Sequence, residues 1–152
     1  MTTTEKAAPA IEHAAPAHDA SGADPVSGTQ RWVGRVLSGL AVLFLLFDAI
    51  GKLTRAQPAV EGTVQLGYPE STVAGIGLIL LACVVLHLIP RTAVLGAILL
   101  TGYLGGAVAT HVRLLNPLFS HTLFPVYVGV LVWLGLALRD GAVRRLLLGA
   151  RG

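Results

Sequence analysis

Four long apolar runs are the strongest constraint on how this chain folds. They cover residues 32–53, 71–89, 93–110 and 122–138, and the last two contain no charged side chain. Each is about 17 to 22 residues long, and an α-helix of that length crosses a hydrocarbon layer about 30 Å thick. Open β-sheets cannot span lipid, because their edges leave backbone groups without hydrogen-bond partners. The pattern therefore predicts an all-α fold, a bundle of four transmembrane helices.

The composition agrees with lipid as the solvent. Hydrophobic residues make up 54% of the chain and charged residues 12%, against roughly 25% charged in a soluble domain. The single Cys83 excludes a disulfide framework and any multi-cysteine metal site within one chain. The basic residues stand at the ends of the apolar runs, where they meet lipid headgroups. We therefore expect no nucleic-acid partner.

The two ends of the chain differ from this membrane domain. Residues 1–30 are rich in Ala, Pro, His, Ser and Gly and hold almost no large apolar side chain. Such a segment cannot bury enough surface to offset the entropy of ordering it. We predict a disordered tail at 1–30, a membrane domain at 31–141 and a basic tail at 142–152.

Lysine and arginine are distributed unevenly over the two sides of the predicted membrane. One side has Arg31, Arg35, Arg91, Arg139, Arg144, Arg145 and Arg151, and the other has Lys52, Arg55 and Arg113. Because short loops rich in Lys and Arg remain in the cytoplasm, we predict that both termini are cytoplasmic.

The connection after the first run has the signals of a short helix. Pro58 suits a first helical turn and Gly67 suits the end of a helix, so we predict an interfacial segment at about 57–67 on the outer side. It would add Glu61, Tyr68 and Glu70 to the polar groups at that level.

Polar side chains converge on the outer ends of the predicted helices. Asp48 and Lys52 are four residues apart near the end of the first run, and His111, Arg113 and His121 follow the third run and precede the fourth. A charge within a membrane is costly unless it is paired or wetted. We therefore predict an outer polar pocket that takes a small molecule, a proton or a quinone headgroup. The alternative is an Asp48–Lys52 pair along one helix, with the other side chains reaching lipid headgroups.

The sequence predicts no metal site. His111 and His121 lie on the same predicted side, but a zinc site needs a third protein ligand, and Asp48 is the one candidate for it.

Small residues mark the third run. Gly102 and Gly106 form a G-x-x-x-G pattern with Gly105 beside them, which predicts a close helix contact. The pattern leaves open whether the partner helix belongs to the same chain or to a second copy.

Several longer segments carry a resemblance. They are FDAIGKL at 47–53, LGYP at 66–69, LIPRTAVLGA at 88–97, GYLGGAVATHVR at 102–113 and NPLF at 116–119. Together they resemble the DoxX-like family of small bacterial integral membrane proteins, over residues 35–140.

The resemblance implies a four-helix protein of the bacterial inner membrane. The wider DoxX family takes its name from a subunit of quinone-linked sulfur oxidation, and relatives are associated with redox-stress complexes. The family motif positions in this chain are Lys52, Pro90, Arg91, Gly105, Gly106, His111 and Arg113. Many members have a glutamate in the second helix where this chain has Leu80. The loss of that acid weakens the case for proton-coupled quinone chemistry.

The chain contains no phosphate loop, nucleophile triad or catalytic carboxylate pair. The leading prediction is therefore a non-enzymatic accessory or subunit protein of a membrane redox system, without a cofactor of its own. Its expected partners are the lipid bilayer and either further copies or the subunits of a redox complex. One alternative is a quinone-interacting oxidoreductase subunit that uses Asp48 and His111 for proton transfer. The other is a transporter of small solutes or protons.

Overall fold

The structure, a computed structural model, describes residues 27–149. The α-helices in this range are α1 (Gly28–Leu53), α2 (Gln57–Gln65), α3 (Val73–Leu88), α4 (Ala93–Arg113), α5 (Phe124–Arg139) and α6 (Gly141–Leu148). A 3-10 turn at Glu70–Thr72 precedes α3, and a π-helical turn at Leu118–Thr122 precedes α5. No strand occurs within the described range, so the all-α prediction is confirmed there. The prediction of a disordered tail covers residues 1–30, of which residues 1–26 lie outside this range.

Four segments are long and apolar enough to cross a membrane, namely Gly28–Leu53, Glu70–Leu88, Ala93–Arg113 and Leu118–Arg139. Large apolar side chains also cover the outer surface of the bundle; Leu43 is 68% exposed and Phe47 is 79% exposed. A water-soluble protein seldom exposes continuous apolar surface, whereas lipid solvates it. The predicted four-helix transmembrane bundle is confirmed.

The four long helices form a ring in the order α1, α3, α4, α5. The helix α1 packs against α3 and α5, and α4 packs against the same two. The helices α1 and α4 therefore face each other across the bundle. Because four helices cross in alternating directions, both ends of the domain lie on one side, and α2 and the π-helical turn lie on the other, here termed the α2 end.

Glycines allow the neighbouring helices to approach closely. A Cβ added at Gly96 of α4 would overlap the backbone of His87 in α3. A Cβ at Gly77 of α3 would lie 2.7 Å from the Cβ of Lys52 in α1, and one at Gly34 of α1 would lie 2.9 Å from the carbonyl oxygen of Gly135 in α5. These glycines set the spacing of three helix pairs.

The first long helix begins earlier than the hydropathy pattern predicts, at Gly28. The backbone N–H of Gln30 donates to Ser27 Oγ, and the backbone N–H of Ser27 donates to Gln30 Oε1, each at 3.2 Å. This capping box stabilises a helix start. The last residues of the predicted tail are therefore helical.

Residues 142–148 of the predicted basic tail are also helical. Asp140 caps α6, because its carboxylate accepts hydrogen bonds from the backbone N–H groups of Ala142 and Val143 at 2.9 and 3.3 Å. Val143 is buried against the bundle. Aspartate is a favoured N-cap residue, so the start of α6 could have been predicted from the sequence.

Candidate binding cavity

A cavity of about 980 Å³ occupies the half of the bundle toward the α2 end. All four long helices contribute to its wall, and α2 lies across it through Ala59, Gly62 and Thr63. A helix is therefore present within the predicted segment 57–67, as α2, and it also forms one wall of the cavity. Gly67, which has a φ of +85°, ends this segment in the left-handed region that glycine adopts without strain.

Asp48 and Lys52 lie on the cavity wall in α1. Lys52 Nζ donates a hydrogen bond to Asp48 Oδ1, and both side chains are partly buried. An isolated charge here would be costly, and the pairing lowers that cost. The pair predicted as an alternative to the pocket thus forms, and it faces the cavity.

His111 and His121 stand on the same wall, with ring centroids 6.0 Å apart. Asn116 Nδ2 lies 2.8 Å from His111 Nδ1. Because the amide nitrogen can only donate, Nδ1 accepts, and the neutral His111 ring carries its proton on Nε2. His111 therefore has one further donor available to a ligand. No group of three His, Cys, Asp or Glu side chains that could hold a metal ion occurs within residues 27–149.

The predicted pocket residues are brought together only in part. Asp48, Lys52, His111 and His121 share the cavity wall, whereas Arg113 does not. Arg113 Nη2 instead donates to the carbonyl oxygen of Leu66 at 3.0 Å, so it anchors the segment that follows α2. Among the described residues no hydrogen bond joins Asp48 to His111; Asp48 is bonded to Lys52, and His111 is bonded to Asn116.

Tyr68 ties the same segment to α4. Its hydroxyl lies 2.7 Å from Thr110 Oγ1, which donates to the carbonyl oxygen of Gly106 at 2.9 Å. The Tyr68 hydroxyl is therefore the donor to Thr110. Thr110 and Asn116 both line the cavity, and neither was predicted from the sequence as a site residue. The role of Thr110 depends on Tyr68 in a distant segment, whereas Asn116 is bonded to His111 five residues earlier.

The three glycines that were predicted to form a close helix contact do not form one within the described residues. Nothing lies within 4 Å of a Cβ added at Gly102, Gly105 or Gly106, so these residues make no close helix contact within the described chain. Gly102 and Gly106 line the cavity, and Gly105 lines a groove between α4 and α5. The contact with α3 is made at Gly96, nearer the start of α4. A contact of these glycines with a second copy stays a prediction.

The Lys52→Met variant tests the ion pair. We expect it to lower stability in detergent by about 1–2 kcal/mol, below the value for a fully buried pair, because the partly buried Asp48 carboxylate loses its partner. The double variant Asp48→Asn/Lys52→Met should recover most of the loss, since it removes both charges. Thermal melts of the three proteins measure this. Equal melting temperatures for the single and double variants would show that the pair contributes nothing.

Comparison with known proteins gives one match. No curated protein and no solved structure matches the chain. The model of the DoxX-like family matches residues 36–135, a range that contains α2 to α4 and most of α1 and α5. It includes the pair on α1, the segment around α2 and both cavity histidines. The chain is a multi-pass membrane protein and belongs to the DoxX-like family.

Proposed function

We propose that this protein binds a quinone-class molecule in the cavity at the α2 end, as a subunit of a membrane redox system in the bacterial inner membrane. The observation that carries the proposal is the cavity itself. Its volume of about 980 Å³ lies at the upper end of the range for small-molecule sites, about 300–1,000 Å³.

The two kinds of side chain on the wall suit the two parts of such a molecule. Phe44, Ile79 and Val128 provide an apolar surface for a ring and its hydrocarbon substituents. The Lys52 ammonium and the Nε2–H of neutral His111 can each donate a hydrogen bond to a carbonyl oxygen. In this proposal His111 takes up a proton on Nδ1 as the Asn116 amide turns its oxygen to accept, and passes its Nε2 proton to a carbonyl oxygen that electrons from the redox system have reduced. Asp48 is the second group that exchanges a proton with the bound molecule.

The packing at the centre of the bundle disfavours the transporter alternative. Leu80, Leu100 and Val132 are each at most 1% exposed in the centre of the bundle, and they fill the space between the helices. A transport pathway requires polar groups or broken helices near the midplane. Apolar packing of this kind favours a binding cavity over a route across the membrane.

Quinone content of the purified protein tests the proposal. We expect protein isolated in mild detergent to carry extractable quinone, and added short-chain quinone to raise its melting temperature by mass action. The His111→Gln variant should respond less at the same quinone concentration. Protein that carries no quinone and shows no melting shift with the added compound would contradict the proposal.

We further propose that both termini face the cytoplasm, on the basis of the uneven distribution of lysine and arginine. A cysteine placed at the exposed Glu61 or Leu118 should react with a membrane-impermeant maleimide in intact cells. A cysteine placed at Arg91 should react only after permeabilisation. The native Cys83 is buried and gives little background. Labelling at residue 91 in intact cells would reverse the orientation.

A further inference from the structure

We propose that the groove between α4 and α5 binds an anionic phospholipid, with an acyl chain along the groove and the phosphate at Arg144. The groove has a volume of about 640 Å³ and ends at α6. The proposal is independent of quinone binding, which concerns the cavity at the α2 end.

Small residues create the groove. Nothing lies within 4 Å of a Cβ added at Gly105, and Gly129 and Ala137 continue the shallow path along α5. Bulkier apolar side chains border this path, among them Leu134 and Leu147. A flexible hydrocarbon chain fits such a surface, because it gains van der Waals contacts along its whole length.

The polar side-chain atoms that line the groove already have hydrogen-bond partners, apart from those of Arg144. The indole Nε1 of Trp133 donates to Thr101 Oγ1 at 2.9 Å, and that hydroxyl donates to the carbonyl oxygen of Ala97 at 2.8 Å. The other lining residues are aliphatic, proline or glycine. The groove therefore favours hydrocarbon over a polar ligand.

Arg144 provides the charge that specifies the occupant. The described part of the chain contains two ion pairs, Lys52–Asp48 and Arg55–Glu70, and both lie toward the α2 end. Among the described residues, Arg144 therefore has no carboxylate partner. Asp140 is nearby, but its carboxylate caps the start of α6.

The helix α6 holds Arg144 at the depth of a lipid phosphate. Val143 is buried against the bundle, while Leu146 and Leu148 are 73% and 75% exposed. A short helix with leucines exposed beside arginines lies at the membrane surface. Because Arg139 adds positive charge at this end, a net negative lipid is preferred over a zwitterionic one.

Native mass spectrometry of the full chain in detergent tests the proposal, with phosphatidylglycerol and phosphatidylethanolamine of the same acyl composition as probes. We expect one phosphatidylglycerol to be retained in preference to phosphatidylethanolamine. Arg144→Gln should lower that preference about fivefold, and Arg144→Lys should keep most of it. Arg145→Gln is the matched control, because Arg145 is exposed and does not line the groove. Gly105→Leu should reduce retention of both lipids by filling the groove.

Melting temperatures of the same samples show that each variant is folded. Retention of phosphatidylglycerol unchanged in both Arg144→Gln and Gly105→Leu would overturn the proposal. A dimer in the wild type that Gly105→Leu dissociates would overturn it as well, because a second copy would then cover the groove.

Discussion

The Gly96→Ala variant is expected to unfold at a clearly lower temperature than the wild type. An added Cβ would overlap the backbone of His87, and backbone atoms cannot move aside as the end of a flexible side chain can. The link between α3 and α4 is only four residues long, and His87 Nδ1 donates to the carbonyl oxygen of Ala93 at 3.1 Å. The two helices therefore cannot separate freely. We expect a loss of about 3 kcal/mol, at the upper end of the range for overpacking.

Gly105→Ala is the matched control for this variant. It makes the same chemical change in the same helix, at a position where nothing lies within 4 Å of the added Cβ. Alanine is favoured over glycine within a helix by roughly 1 kcal/mol, so the control should melt at or above the wild-type temperature. Thermal melts of both proteins in one detergent provide the comparison. If the two variants had the same melting temperature, the inferred close contact between α3 and α4 would be wrong.

The Gly106→Leu variant is expected to lose quinone binding at least about tenfold without loss of stability. Gly106 lines the cavity, and nothing lies within 4 Å of its added Cβ. The Cβ of a leucine therefore meets no neighbour, and the rest of the side chain enters the cavity that Gly106 lines. Space filled by the leucine is denied to a ligand, and about 1.4 kcal/mol of lost binding free energy corresponds to a factor of ten.

Gly105→Leu is the control for this experiment, because its side chain points to the groove between α4 and α5. It should retain quinone at the wild-type level. The measurement is quinone per protein after purification, with the affinity for a short-chain quinone from melting shifts. Loss of quinone in Gly105→Leu but not in Gly106→Leu would place the quinone in the groove. A lower melting temperature for Gly106→Leu would instead indicate the close helix contact that the G-x-x-x-G pattern predicts.

Leu80 lies in the buried core and does not line the cavity. The resemblance to the family implies an acid in many members at this position, and here Leu80 is 0% exposed in the core. The acidic group on the cavity wall is Asp48, paired with Lys52. The proposed proton exchange therefore involves Asp48 and His111 rather than an acid at position 80.

Local properties of the sequence were enough to predict the spans, the helix at α2 and the family. The length and hydropathy of a segment decide whether it crosses lipid, since every backbone group there must be bonded within the helix. Pro58 and Gly67 bound the α2 segment through their own backbone preferences. The tight link at residues 89–92 requires α3 and α4 to be neighbours, whatever the rest of the bundle does.

The direction in which each helix presents its side chains depended on the tertiary structure. Gly96, Gly105 and Gly106 are equally small in the sequence, yet the first touches α3, the second lines the groove and the third lines the cavity. Likewise Arg113 and His111 are two residues apart, and only His111 reaches the cavity. The rotation of a helix about its axis is set by the packing of both of its neighbours, and the uniformly apolar runs give little amphipathic signal from which to read it.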